Sequence, residues 1–307
     1  MVSMSARLVN LGLPLLGIRR FFSEPDKLDE RIAKLRRQAS PRPGKKLHAQ
    51  FDISEDTSRG YPVVTMVPKG GVKEGSPHLL YLHGGGYVMD IAALHWSAIG
   101  RLCEDLGASA TVPVYPLAPE HKASEVIAVM RDLYGELADR HGAEHLTVMG
   151  DSAGGGMSLA LAQVLQNEGK ALPASLVLFS PWLDATASAP GQKDIEKRDR
   201  MLAVSGLEAC GALYRGELSV DDPRVSPLFG PLDGLPPMAI FSGTSDILLV
   251  DGQRLDKRLT EIGSTSHAYR EYAGMFHVWM LLPIPEGKQA LHETAAFIRQ
   301  HNGVSHA

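Results

Sequence analysis

Cysteine is nearly missing from this 307-residue chain: Cys103 and Cys210 stand far apart, without the recurring Cys or His spacing that a zinc site or a disulfide framework requires. Both read as small buried hydrophobes. An excess of one charge is missing too. Lys and Arg number 31 against 35 Asp and Glu, a formal net charge of −4. The cations are dispersed, so nucleic acid is not an expected partner and small neutral molecules fit better. No apolar run is long enough to cross a bilayer. Val9 to Ile18, flanked by Arg7, Arg19 and Arg20, is about half of the ~20 residues a span needs. Arg19-Arg20-Phe21-Phe22 after it is no small-residue cleavage site, so a cytoplasmic location is expected. The expected role of the apolar stretch is a helix packed against the protein at the mouth of its site, with contact to a lipid surface as the alternative. Internal repeats and low-complexity tracts are also absent.

What is present suits a folded enzyme. Hydrophobic residues make up 44% and charged residues 21%, and the length allows one main domain with a small excursion. Residues 1–46 read as N-terminal helices that Pro41 and Pro43 stop. His48 to Asp56 and Tyr61 to Val67 alternate apolar with polar residues around a Ser-Arg-Gly turn, predicting an antiparallel hairpin. Apolar runs follow at His78 to Leu82, Ser109 to Tyr115, Leu146 to Met149, Leu176 to Phe179, Met238 to Phe241 and His267 to Tyr272, each reading as a buried strand. Helical periodicity separates nearly all of them: Ala93 to Leu106, Ser124 to Arg140, Gly155 to Asn167, Asp251 to Ile262 and Lys288 to His301. Such alternation predicts an α/β fold with a mostly parallel sheet of about eight strands. Residues 185–220 carry charges and no clear strand. They are expected to form a helical insertion over the carboxyl ends of the strands, dividing a main domain of 47–184 and 221–307.

Gly150-Asp151-Ser152-Ala153-Gly154 follows a strand and opens a helical pattern, the context of a nucleophile elbow. His83-Gly84-Gly85-Gly86 directly follows the strand His78 to Leu82. Its glycines leave backbone N–H groups unshielded, and those of Gly84 and Gly85, with that of Ala153, are the expected oxyanion donors. A phosphate loop would want Lys and then Ser or Thr after its glycines, whereas Tyr87-Val88 stand here. A serine hydroxyl needs a base and an orienting acid. Asp246 and His277 each lie in a loop after a strand, and the order Ser, Asp, His is that of α/β-hydrolases. Asp251 is the rival acid, read instead as a cap of the next helix. His83 is expected to orient the glycine loop. Asp151 should make a structural hydrogen bond, and His95, His121, His141, His145 and His267 surface or packing contacts.

Together these residues resemble the hormone-sensitive-lipase-like esterases, bacterial family IV, of the α/β-hydrolase superfamily. The resemblance runs from about residue 48 onward. It rests on His83-Gly84-Gly85-Gly86, Tyr115-Pro116-Leu117-Ala118-Pro119-Glu120, Gly150-Asp151-Ser152-Ala153-Gly154-Gly155, Ser226-Pro227-Leu228 and the segments around Asp246 and His277. It implies a cap built from the N-terminal helices and the 185–220 insertion, no metal or organic cofactor, activity on short to medium acyl esters, and a homodimer as a plausible assembly. The chain departs from the family pattern at Pro116, where Arg is usual, at Gly156, often Asn, and at Asp246-Ile247-Leu248, commonly Asp-Pro-Leu.

The expected chemistry is acyl transfer. Ser152 attacks an ester carbonyl, His277 takes its proton, Asp246 stabilises the imidazolium, and water releases the acyl-enzyme. Tyr87, Trp96, Trp182 and Trp279 are candidates for shaping the substrate pocket. A peptidase, amidase or lactonase would share this constellation, and a binding module that keeps the fold without turnover is the rival of another class.

Overall fold

A computed structural model describes residues 2–303; residue 1 and residues 304–307, the tail of the expected second main-domain segment, lie outside the described residues. Eight strands form one sheet: β1 (Phe51–Asp56), β2 (Val63–Pro68), β3 (His78–Leu82), β4 (Ser109–Pro113), β5 (Leu146–Asp151), β6 (Ser175–Phe179), β7 (Met238–Gly243) and β8 (His267–Tyr272). The spatial order is β1-β2-β4-β3-β5-β6-β7-β8. β1 and β2 pair antiparallel, β2 meets β4 antiparallel, and every later neighbour is parallel. The expected α/β-hydrolase architecture is therefore present.

Residues of β3 to β7 are buried throughout, as parallel strands covered on both faces must be. β8 departs from the buried strand expected of it. It is the sheet edge, and none of its six residues is buried, which suits the polar positions Arg270 and Glu271. The first hairpin also starts later than predicted, because residues 45–50 complete a helical turn before Phe51.

The helices are α1 (Met4–Gly12), α2 (Ile18–Ser23), α3 (Leu28–Leu35), α4 (Lys45–Gln50), α5 (Ala93–Leu106), α6 (Ala123–His141), α7 (Ala153–Asn167), α8 (Gln192–Glu196), α9 (Val204–Arg215), α10 (Leu249–Glu261) and α11 (Pro285–His301). α11 begins three residues before its predicted start because Pro285 occupies the first turn, where a missing N–H is harmless. α10 begins two residues early, which puts Asp251 inside its first turn rather than at its cap. Both cysteines are buried and unpaired.

The segment 185–220 supplies α8 and α9, and α9 packs on α2. Gly206 permits this: a side chain there would run into the backbone of Phe22. The Arg19 guanidinium fastens the same contact by donating to the carbonyls of Asp199 (2.8 Å) and Leu202. Farther along, Arg36 donates to the carbonyls of Val88 (2.6 Å) and Ala118 (2.7 Å) and pairs with Glu120. Where the family commonly has Arg at position 116, this chain has proline, and a guanidinium reaches the loop from residue 36.

Candidate active site

Ser152 sits between β5 and α7 with φ 54° and ψ −120°, a conformation that L-residues avoid and that the surrounding contacts hold in place. Its N–H donates to the Phe179 carbonyl (2.8 Å), and its own carbonyl accepts from Gly156 (3.0 Å) and Trp182 (3.0 Å). Gly150 and Gly154 flank it because a side chain at either would collide with the Leu82 carbonyl at the end of β3. Two glycines thus let the turn press against a neighbouring strand, and that approach keeps the serine at the strand ends.

Asp246 follows β7 and His277 follows β8. The two loops are stitched together by Thr244 N–H to Tyr272 O (3.1 Å) and Ser245 N–H to Met275 O (2.9 Å). They are tied toward the serine turn as well: the Val278 N–H donates to Ser180 Oγ (3.2 Å), one residue after the Phe179 that holds Ser152. Inside this frame the His277 Nδ1–H donates to Asp246 Oδ2 at 2.8 Å, while Asp246 Oδ1 accepts from Leu248 N–H at 2.9 Å. That bond places the ring proton on Nδ1 and leaves Nε2 as the lone-pair nitrogen. Burial pulls the His277 pKa down, but the charge and hydrogen bond of Asp246, with the charges of Asp199 and Asp151, outweigh it and hold the imidazole above its ordinary value.

Sequence reasoning missed Asp199. It stands between α8 and α9, and its carboxylate accepts from Met201 N–H and Leu202 N–H, both at 2.8 Å, and from Ile247 N–H at 2.8 Å, next to Asp246. Burial, reinforced by the charge of Asp246, raises its pKa. Nothing local in Arg198-Asp199-Arg200 points to this contact, which joins residues 48 positions apart.

The glycine loop needs a correction. Gly84 does not offer a free amide, because its N–H donates to Asp151 Oδ1 at 3.0 Å. Among the described residues the amides of Gly85 and Gly86 meet no protein acceptor, with φ of 126° and 61°. The Ala153 amide, at the first position of α7, has no helical carbonyl to reach. The open amides are therefore those of Gly85, Gly86 and Ala153. The signal that could have found this is Asp151, a carboxylate beside the nucleophile that had to be satisfied somewhere.

Asp151 also accepts from Tyr81 Oη (2.8 Å) and from His95 Nε2 (3.1 Å). Burial would raise its pKa, but His95, Tyr81 and Gly84 together lower it. His95 is raised in turn, because Asp151 outweighs the burial that opposes protonation. The surface or packing role expected for His95 is thus corrected to a buried hydrogen-bond partner of Asp151. His83 donates from Nδ1 to Gly84 O (2.7 Å) and stacks on Tyr115 at 4.2 Å, while burial pushes its pKa down to about 4 and keeps it neutral. Asp251 caps nothing. Its Oδ2 accepts from Leu183 N–H (2.8 Å) and Asp184 N–H (3.1 Å), and burial pushes its pKa up to about 7.

The four pocket candidates are all buried, and they disperse. Tyr87 follows the glycine loop, stacks on Tyr214 of α9 at 3.6 Å and leans on Trp182 at 5.4 Å. Trp182 anchors its indole N–H on Asp184 O (3.0 Å) and closes over Gly156. Trp96 donates to Pro41 O (2.9 Å), and Trp279 packs on Tyr272 at 5.0 Å. The first two lie beside the serine turn and the glycine loop, while Trp96 is bonded to residue 41 and Trp279, whose indole N–H has no partner among the described residues, packs on β8. Among the described residues no three His, Cys, Asp or Glu side chains gather as a metal would require.

Residues 79–281 match the family described as alpha/beta hydrolase fold. The chain belongs to that family. An esterase of Acinetobacter venetianus is 33% identical over 223 residues, covering 71% of this chain and 73% of its own. An acetyl-hydrolase of Streptomyces hygroscopicus is 31% identical, covering 73% and 76%. Among solved structures, a hormone-sensitive lipase from a metagenome library superposes with a TM-score of 0.81 at 25% identity, covering 98% and 100%. EstE5 soaked with p-nitrophenyl butyrate gives 0.77 at 30%, covering 92% and 99%. This α/β-hydrolase is an enzyme of the hydrolase class, akin to the hormone-sensitive-lipase group that its motifs resemble.

Proposed function

We propose that this hydrolase cleaves carboxylic esters with short to medium acyl chains, with Ser152 as nucleophile, His277 as base and Asp246 as the orienting acid. The observation that carries the reading is the buried Asp246–His277 bond of 2.8 Å, tied through Ser180 and Phe179 to the strained turn of Ser152. Ser152 Oγ attacks the ester carbonyl while His277 Nε2 accepts its proton. The carbonyl oxygen becomes an oxyanion that the amides of Gly85, Gly86 and Ala153 receive, each such donor contributing on the order of 10²–10³ in rate. Collapse expels the alcohol, which takes the proton from His277. Water, losing its proton to Nε2, then attacks the acyl-enzyme, and as the acyl–Oγ bond breaks Nε2 returns that proton to Ser152 Oγ and the acid is freed. α1 to α3 and the 185–220 segment act as a cap in this reading, with Tyr87 and Trp182 shaping the pocket, and the reaction takes place in the cytoplasm.

Initial rates on p-nitrophenyl esters from acetate to palmitate, with wild type and Ser152→Ala, test it. The expected profile peaks at short chains and falls by about 10⁴-fold or more in the variant. A variant as active as wild type removes Ser152 from the reaction. Turnover confined to matched amides or lactones overturns the ester assignment.

A further inference from the structure

The N-terminal helix leaves an apolar face uncovered. Ala6 and Leu13 are buried, and Val2 and Val9 pack against the core, but Met4, Leu8, Leu11, Leu15 and Leu16 are between 64% and 90% exposed. Positions 4, 8, 11 and 15 are spaced four, three and four apart, so they line one side of α1 and the 3-10 turn that continues it. Contiguous exposed leucines at this density mark a contact surface rather than ordinary surface scatter.

Its position and its charge say what the surface meets. Ser3 ties the start of α1 to α11 through Glu286, with bonds of 2.6 and 2.8 Å. Val2 abuts Gly274 in the loop that leads to His277, and Phe22 of α2 rests against Gly86. The segment from Val2 to Phe22 therefore runs across the end of the sheet where Ser152, the glycine loop and His277 lie. Its charges are Arg7, Arg19 and Arg20, with no carboxylate before Glu24. Beyond Leu16 a groove continues past Arg20, Lys27, Arg31 and Lys34; Glu30 is the carboxylate among its lining residues, and Glu24 pairs with Arg20, Lys27 and Arg31, so the unbalanced positive charge is that of the stretch before Glu24. A second copy of the chain would bring two such cationic borders together. An anionic lipid surface would neutralise them while taking up the leucines. No helix among the described residues is long and apolar enough to span a bilayer, so the contact is a surface one.

We infer that the face formed by Met4, Leu8, Leu11, Leu15 and Leu16, bordered by Arg7 and Arg20, docks this enzyme on anionic membranes with its active-site end toward the lipid. The benefit of that orientation rests on the esterase reading; the docking itself does not. Flotation of the full chain with vesicles of phosphatidylcholine and 30% phosphatidylglycerol, against pure phosphatidylcholine, tests it. Wild type floats with the anionic vesicles at least tenfold more than with the neutral ones and is released by 0.5 M salt. Leu8→Asp/Leu15→Asp loses flotation at least tenfold while hydrolysing soluble p-nitrophenyl acetate like wild type. Should that variant fail to fold, Arg7→Glu at an exposed position serves, with flotation again falling and soluble activity intact. Wild type that stays off the anionic vesicles, or variants that float equally well, overturn the docking. So does a wild-type dimer that Leu8→Asp/Leu15→Asp splits, since the face then belongs to a second copy. Wild type that floats but hydrolyses no soluble ester refutes the proposed reaction instead.

Discussion

Asp246 and Asp251 are both fully buried, five residues apart, and exchanging each for asparagine separates a catalytic acid from a structural one. Asp246 serves two donors with two oxygens: His277 Nδ1–H on Oδ2 and Leu248 N–H on Oδ1. Asparagine has one carbonyl. If it accepts from Leu248, its amide group faces Nδ1 and drives the ring proton to Nε2, which then cannot act as base. The loss of kcat expected of a wrong tautomer is about 10⁴-fold, or roughly 5.5 kcal/mol of transition-state stabilisation. If it turns to accept from His277, its amide group meets the Leu248 N–H, a buried clash of donors costing about 1–3 kcal/mol of stability. Either way Asp246→Asn is crippled.

Asp251→Asn has the opposite signature. Its Oδ2 accepts two backbone amides, which a single carbonyl can also do. Its Oδ1 takes one long contact from Gln192 Nε2 at 3.3 Å and lies 4.0 Å from the Arg254 guanidinium, so an NH2 group in its place forfeits one weak bond rather than the function of a catalytic base. Burial holds its folded pKa at about 7 against a starting value of 3.8. The carboxyl is therefore neutral in the folded protein over a range where the unfolded chain ionises, and wild type loses stability as pH rises from about 4 to 7. At 1.36 kcal/mol per unit, the loss is on the order of 4 kcal/mol. Asparagine cannot ionise, so its stability should stay flatter across that window while kcat changes by less than about threefold. Urea unfolding at pH 5 and pH 8 and kcat on p-nitrophenyl butyrate read both effects. If Asp246→Asn keeps more than about a tenth of kcat, or Asp251→Asn loses as much as it does, the assignment of the acid is refuted.

Two further perturbations follow from the same geometry. Asp199→Asn removes one of the charges that raise the His277 pKa, so the acid limb of kcat/KM should move to lower pH; a limb that stays put or moves up contradicts this. Because its two oxygens accept three amides, the variant should also lose about 1–3 kcal/mol in urea unfolding. Gly156→Asn introduces a Cβ that would collide with the Trp182 carbonyl and lie 3.1 Å from Tyr87 Oη. A backbone carbonyl cannot turn aside as a flexible chain can, so a destabilisation of about 3 kcal/mol is expected, and an unchanged unfolding midpoint would show that the turn has slack.

What could be read from the sequence, and what could not, divides along sequence distance. The serine turn, the eight strands and the two post-strand loops are written in short windows, where the hydrophobic period and a few glycines decide the backbone. His83-Gly84-Gly85-Gly86 is just as local, yet its three glycines are interchangeable as letters, and only the carboxylate of Asp151, 67 residues on, distinguishes the first from the others. His95 shows the same thing: a histidine at the start of a helix looks like surface until Asp151 is seen beside it. Asp199 lies in the segment where the sequence had least to say, and it reaches the loop of Asp246 through one amide. Each of these missed contacts joins separate chain segments and bears on the charge or the amides around Ser152 and His277. In this fold the reacting groups are local signals, whereas the groups that tune them are long-range contacts. The kinetic pKa should accordingly respond to residues that no short motif contains.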